Sequence, residues 1–173
     1  MKFDTTIVQT TYQSPLGAMT LAATDAGLAG IWFEGQRHTP LQLTTPASWP
    51  VNSAHPVLIK TAAQLSEYFD GQRSDFDLPL DLSGGTEFQQ AVWQALLEIS
   101  NGHTTSYSSI SNILGNPKAV RAVGAAIGRN PISIIVPCHR VIGTGGRLTG
   151  YAGGLDRKTA LLRLEGVLAG NLF

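Results

Sequence analysis

The chain has 173 residues, 43% apolar and 14% charged, and its twelve Lys/Arg balance twelve Asp/Glu to leave no formal net charge. That length suits one domain or two small ones, and the composition is that of a globular protein rather than a disordered one. A single cysteine, Cys138, excludes an internal disulfide and any multi-cysteine zinc or iron–sulfur site, and the apolar runs are too short to span a bilayer.

The opening Met1-Lys2-Phe3-Asp4-Thr5 lacks the basic-then-apolar order of a signal peptide. The expectation is a soluble cytoplasmic protein whose reducing surroundings keep Cys138 a thiol. The zero charge conceals a split. Residues 1–83 carry four Lys/Arg and eight Asp/Glu, whereas residues 84–173 carry eight and four, a balance of −4 against +4. A basic half can follow a phosphate backbone and an acidic half cannot.

Thr5–Tyr12, Ala18–Ala23 and Leu28–Phe33 read as three short strands. Ser14-Pro15-Leu16-Gly17 and Thr24-Asp25-Ala26-Gly27 separate them as turns, which predicts an antiparallel meander. Gln36–Ser53, rich in Thr and Pro, reads as a surface loop. Pro56 then opens a helix with Leu58, Ala62, Leu65 and Phe69 on one face, ended by Gly71. No catalytic constellation is visible in residues 1–80. Asp75, Asp77 and Asp81 alternate as a metal site would, but a solvated linker explains them better.

Leu82-Ser83-Gly84-Gly85 marks a domain boundary. Thr86 and Gln89 form a capping box for a helix with Phe88, Val92, Leu96 and Ile99 on one stripe, and Trp93 reads as packing. Two short helices follow. Ser106 caps the first, which turns Ile110, Ile113 and Leu114 inward. Asn116 as N-cap and Pro117 at the first helical position start the second, which runs to about Ile127. Helix, glycine-containing turn, helix is the helix-turn-helix pattern. The second helix places Arg121, Gly124, Ala125 and Gly128 on the side opposite Val120, Val123 and Ile127. A glycine there costs about 1 kcal/mol relative to alanine. Either a nucleic-acid groove approaches this smooth face closely or another helix packs on it.

Ile132–Val136, bracketed by Pro131 and Pro137, reads as a buried strand that delivers Cys138 to its end. A thiol attacks as thiolate and needs nearby donors, positive charge or a base. His139 is adjacent, but neighbours in an extended strand point to opposite faces. A Cys138–His139 pair therefore needs a helical turn at Pro137 or a bridging water, and otherwise His139 is structural. Glu165 is the candidate to orient the imidazole. Asp156 caps a helix that buries Leu161 and Leu164 and ends at Gly166, so Glu165 falls in a last turn where the helix dipole disfavours a carboxylate. A function elsewhere and a tolerated surface glutamate both fit that placement. The glycine-rich run Gly143–Gly154, with Tyr151 as its aromatic, could wrap a flat ligand or serve as a connector.

These residues together resemble the methylated-DNA–protein-cysteine methyltransferases, the O6-alkylguanine-DNA alkyltransferases. Pro137-Cys138-His139-Arg140-Val141 matches their signature. Arg121-Ala122-Val123-Gly124, Asn130-Pro131, Gly150-Tyr151, Gly153-Gly154 and Leu164-Glu165-Gly166 match at family spacing. The resemblance implies an α/β (α+β) fold, with a ribonuclease-H-like sheet-plus-helix domain over residues 1–83 and a mostly helical domain with the helix-turn-helix over 84–173. It implies that an alkylated guanine is flipped out of double-stranded DNA approached from the minor groove, and that a thiolate takes its O6 alkyl group irreversibly, once per molecule. O4-alkylthymine is a second substrate the resemblance suggests.

On this chain the resemblance makes Cys138 the nucleophile, His139 a base acting through a water, and Glu165 its holder. Asn130 would brace the turn carrying Cys138. Arg121 would fill the gap left by the flipped base, on a helix made smooth by Gly124 and Ala125. Tyr107 would help to rotate the nucleotide and donate a proton to it. Carbonyls of Cys138 and Val141 would accept from the guanine amine. Tyr151 would line the pocket, and the Ala152 N–H would reach O6. Gly128-Arg129-Asn130 stands where some relatives have Arg-Gly-Asn, which makes Arg129 the DNA-facing candidate there, and Ala152 replaces a serine of some relatives. The zinc site of some relatives needs cysteines this chain lacks, so no metal or cofactor is expected, and neither is a membrane; a monomer is. The competing expectations are a module that binds alkylated DNA without repairing it and a thiol hydrolase using Cys138, His139 and Glu165.

Overall fold

The computed structural model describes residues 1–45 and 48–169. Pro46 and Ala47, inside the predicted loop Gln36–Ser53, lie outside the described residues. The three predicted strands form as β1 (Val8–Ser14), β2 (Gly17–Thr24) and β3 (Gly27–Phe33), an antiparallel meander in that order. Ser14 builds its first turn: the hydroxyl donates to Gly17 O at 2.7 Å and accepts from Leu16 N at 3.1 Å. Gly17 sits at φ +109°, open to glycine at little cost.

Helix α1 (Pro56–Phe69) starts at its proline and packs Leu58, Leu65 and Phe69 on one face of the sheet, against Met19, Leu21 and Phe33. On the other face Trp32 meets Phe3 and Trp49, with both ring-centroid distances at 5.8 Å. Trp49 is buried, so the predicted surface loop supplies part of a second small core. The β3 edge not taken by β2 is covered from far along the chain. Ile31 N donates to Pro131 O at 2.8 Å, and Ser133 N donates to Ile31 O at 3.1 Å. A covered edge cannot recruit a foreign strand, and here the cover is the segment that leads to Cys138.

Helix α2 (Glu87–Leu97) carries the predicted Thr86–Gln89 capping box. Its buried stripe is Val92, Trp93 and Leu96, while Phe88 is 39% exposed, contrary to expectation. Trp93 displaces it: the indole fills the core, and Nε1 donates to Ala126 O at 2.9 Å. The short strand β4 (Thr105–Ser106) pairs in parallel with β5 (Val141–Ile142). Ser106 caps α3 (Tyr107–Ile113) as predicted, but Ile113 is 69% exposed, and only Ile110 and partly buried Leu114 face inward.

Helix α4 (Val120–Gly128) begins later than predicted. Asn116 is not its N-cap. Instead Asn116 N donates to Ser111 O, its own carbonyl accepts from the Ser111 hydroxyl and from Ala119 N, and those bonds form a separate turn. Helix α5 (Leu155–Leu164) is capped by Gly154, so Asp156 lies in the first turn, where a carboxylate suits the helix dipole, and is not the cap. One apolar cluster runs from Met19 in β2 through α1, α2 and α4 to Leu161 in α5. No helix among the described residues is long and apolar enough to cross a membrane.

Candidate active site

The chain from Asn130 to Pro137 is not the predicted strand. It makes one bridge, Ile31 to Ile132, and then turns, with Ile134 at φ +73°. Asn130 replaces the missing ladder partner. Its Oδ1 accepts from Ile132 N at 2.9 Å, and its Nδ2 donates to Val136 O at 2.7 Å, closing a loop over buried apolar residues. The same Nδ2 reaches Cys138 Sγ at 3.1 Å. A non-glycine residue at positive φ is costly and persists only where its surroundings over-determine it. Those amide bonds and the buried Ile134 side chain do so here.

Cys138 opens a 3-10 turn over Cys138–Arg140. Three residues per turn remove the opposite-face problem that an extended chain would pose for Cys138 and His139. His139 is fully buried, and its Nε2 lies 2.9 Å from Glu165 Oε1. With Nε2–H donating there, Nδ1 is the basic nitrogen, and it has no hydrogen-bond partner among the described residues.

Glu165 is 8% exposed and sits at the C-cap of α5, not on the surface. Besides His139, its carboxylate accepts from Arg140 Nε at 2.9 Å, Arg140 Nη2 at 2.8 Å and the Tyr68 hydroxyl at 2.8 Å. Arg140 also donates to Ile99 O. Burial alone would raise the Glu165 pKa, but the bonds and charges of His139 and Arg140 outweigh it and hold the pKa down at about 2. A buried carboxylate facing an arginine in two-point contact is compensated. Burial pushes the His139 imidazole down, against the pull of Glu165 and with help from the Arg140 and Lys158 charges. Burial pushes the Cys138 thiol up, opposed by Asn130, the Lys158 charge and the backbone N–H groups of Cys138 and His139. The resting pair is therefore a thiol beside a neutral imidazole.

Lys158 has no exposed surface. Its ammonium donates to the carbonyls of Val141 at 2.6 Å, Thr149 at 2.9 Å and Gly150 at 3.3 Å. Burial lowers its pKa to about 8, against the opposing field of Cys138. It ties the glycine-rich run to the Cys138 turn and brings a cation near the sulfur. Arg140 and Lys158 are both internal, so part of the +4 of the second half is not on the surface.

A cavity of about 330 Å³ opens over Cys138. Tyr107, Gly124, Ala125, Arg129, Tyr151 and Ala152 line it, so most of the predicted residues converge. Tyr107 donates to Thr149 O at 3.2 Å. Gly153 lets the Tyr151 ring lie flat on the backbone, because a Cβ there would fall 2.7 Å from the ring. Val141 does not line the cavity. Its carbonyl already holds Lys158, and that of Cys138 accepts from Val141 N, which leaves one lone pair on each for a ligand. Arg121 is exposed on the outer face of α4, outside the cavity. A Cβ at Gly128 would meet nothing within 4 Å, and one at Gly124 would meet only the Tyr107 ring, at 3.7 Å. Only the Tyr107 ring of α3 comes near that face, at Gly124, so packing accounts for little of its smoothness at Gly128.

Residues 1–80, in which the sequence shows no catalytic constellation, contribute to the cavity. Arg37 and His38 line the cavity, and Arg37 donates to Tyr151 O at 3.2 Å and Ala152 O at 3.0 Å. Arg157 stacks over Phe33 at 4.6 Å and donates to Leu16 O at 3.0 Å. Sequence reasoning missed Arg37, Tyr68, Lys158 and the role of Arg140. A lysine on the apolar side of α5 beside Leu161 and Leu162 was the one local sign available. The three acidic residues of the linker are dispersed: Asp77 bonds Lys60 at 2.8 Å, Asp81 bonds Thr24 at 2.6 Å, and Asp75 accepts from Ser74 at 3.2 Å.

Residues 7–82 match the family model of the 6-O-methylguanine DNA methyltransferase ribonuclease-like domain, and residues 87–167 match that of its DNA binding domain. A methylated-DNA–protein-cysteine methyltransferase of Methanosarcina acetivorans is 48% identical over 156 residues, covering 90% of this chain and 96% of that protein. Mycobacterium tuberculosis OGT, solved in complex with DNA, is similar at a TM-score of 0.81 and 46% identity, covering 91% of this chain and 92% of that one. The M. tuberculosis O6-methylguanine methyltransferase structure gives 0.80 and 45%, covering 96% and 97%. With both parts of the chain matched and the Cys138 turn in place, this protein belongs to the methylated-DNA–protein-cysteine methyltransferase family.

Proposed function

We propose that Cys138 is the alkyl acceptor in a direct, single-turnover repair of O6-alkylguanine, with O4-alkylthymine as a second substrate, in double-stranded DNA. Membership of the family makes DNA repair by alkyl transfer the function of the chain. The observation that carries the residue assignment is the buried chain Cys138, His139, Glu165, Arg140, in which the only nitrogen left free to take a proton is His139 Nδ1. The thiol proton passes to Nδ1 through a bridging water. The sulfur then attacks the alkyl carbon, the carbon–oxygen bond breaks, and its electron pair leaves with O6 of the base. Tyr107 supplies a proton to the leaving guanine, which solvent returns to it. The product thioether has no path back, so each molecule acts once.

The target carbon is inaccessible in a stacked duplex, so the base must be extruded, at a cost of a few kcal/mol. Arg121, standing clear of the cavity, is placed to enter the duplex and offset part of the lost stacking. The bare face of Gly124, Ala125 and Gly128 suits close approach to a minor groove without sequence readout. Arg129 at the cavity rim contacts the DNA. Tyr151 walls the pocket, the Ala152 N–H reaches O6, and the free lone pairs on Cys138 O and Val141 O take the guanine amine. Residues 1–83 and 84–173 act as two domains, a division supported by the two family matches meeting between residues 82 and 87, and the protein works as a cytoplasmic monomer.

Intact-protein mass spectrometry after incubation with duplex DNA containing O6-methylguanine tests this. One methyl group on the peptide bearing Cys138 is expected. No mass gain would leave a non-repairing DNA-binding module, and repeated turnover without adduct would point to a hydrolase.

A further inference from the structure

We propose that Tyr68, on helix α1 of the sheet domain, is a positioning residue for alkyl transfer, acting through Glu165 on the basicity of His139. The inference rests on the role given above to His139. The Tyr68 hydroxyl donates at 2.8 Å to Glu165 Oε1, the same oxygen that faces His139 Nε2 at 2.9 Å and Arg140 Nη2 at 2.8 Å. Tyr68 is 1% exposed, and its ring is gripped by Phe69 at 5.5 Å and Phe76 at 5.4 Å, so the hydroxyl is held in place by packing. The bond joins residues 97 apart in sequence. The half of the chain that holds neither the thiol nor its base thus supplies one of the four donors to the carboxylate that orients the base.

The consequence has a sign. A hydrogen bond donated to a carboxylate stabilises its negative charge and weakens its pull on other partners. Without the Tyr68 hydroxyl, Glu165 attracts the His139 imidazolium more strongly, and His139 takes a proton at higher pH. The charged and titratable groups around His139 are Cys138 and Arg140 in its own turn, Lys158 and Glu165 from α5, and Tyr68 and Tyr151 beyond them. Only the contribution of Tyr68 changes in Tyr68→Phe, which keeps the ring and its packing.

The experiment titrates the four histidines by NMR in the resting protein and measures single-turnover transfer against pH in parallel. Tyr12→Phe serves as the control, because the Tyr12 hydroxyl bonds Ser66 on the same helix at 3.0 Å and does not touch Glu165. Tyr68→Phe should raise the His139 titration, and with it the acid limb of the rate profile, by about half a pH unit, the size of a modest hydrogen bond. Tyr12→Phe should leave both unmoved. A His139 titration unchanged in Tyr68→Phe, or a rate loss with the acid limb in place, would overturn the proposal. The NMR arm reads the proposal even if no methyl group is transferred, whereas a wild-type protein that titrates as expected yet gains no mass would count against the assignment of Cys138 alone.

Discussion

The buried surroundings of Cys138 and the smooth face of α4 are built on opposite terms. Around Cys138, Asn130, Arg140, Lys158 and Glu165 are buried, and each makes two or more hydrogen bonds within the protein. On α4, Arg121 and Ala125 are exposed, and the space above Gly128 is open. Chemistry requires groups fixed before the substrate arrives, since every adjustment made during reaction raises the barrier. Recognition without sequence preference requires a surface that leaves its contacts to the partner. The difference predicts that substitutions in the first region damage stability and rate together, and that those in the second damage only work on duplex DNA.

The largest effect should come from Glu165→Gln. Removing the charge leaves Arg140 buried and uncompensated, a change of the kind that costs about 3–5 kcal/mol, readable by chemical denaturation, and it should abolish measurable transfer. The pH dependence follows from the same group. Its folded pKa of about 2 lies below the ordinary 4.5, so its stabilisation is present in full above pH 4.5 and is lost as pH falls towards 2. Glu165→Gln should flatten that part of the stability curve. Asn130→Ala comes next: Ile132 N loses its partner inside the protein and Val136 O keeps only its bond from Cys138 N, at about 1–3 kcal/mol for the buried group left unsatisfied. Thermal unfolding would show it, with transfer slowed as the Cys138 turn loosens.

On the other side of the comparison, Arg121→Ala should change stability by no more than about 0.5 kcal/mol. It should slow repair of duplex DNA more than reaction with the free alkylated base, and equal losses on both would remove Arg121 from the flipping role. Gly128→Ala is the smallest and sharpest case. A methyl there meets nothing in the protein, so the helix should gain up to about 1 kcal/mol while duplex affinity falls. A gain in stability with unchanged affinity would mean that nothing approaches this face closely.

Local signals carried far in this chain. The meander, the start of α1 at Pro56, the Thr86 capping box and the Ser106 cap all depend on residues within a few positions of one another, and all appear, with the first strand moved from Thr5–Tyr12 to Val8–Ser14. The convergence of Cys138, Tyr107, Gly124, Ala125, Arg129, Tyr151 and Ala152 on one cavity was legible through the family pattern. Errors arose where a distant partner outranked the local pattern. Ile132–Val136 has the composition of a strand, but the Asn130 amide closes it into a turn. Phe88 fits its helical stripe, but Trp93 fills the space with a larger ring. Asn116 suits an N-cap, but Ser111 claims its backbone. Tyr68 and Arg37 reach the site across 97 and 114 residues, and no periodicity within α1 or its flanking loop marks either of them.

Cys138→Ser tests the central assignment most directly. Serine preserves the size and the Asn130 contact, and it replaces sulfur with an oxygen that His139 cannot make comparably nucleophilic. With O6-methylguanine carrying a labelled methyl group in duplex DNA, the wild-type chain should take up one label per molecule and then stop, and the serine variant should take up none while still binding the duplex. Label appearing on the serine variant at the wild-type rate would contradict the account.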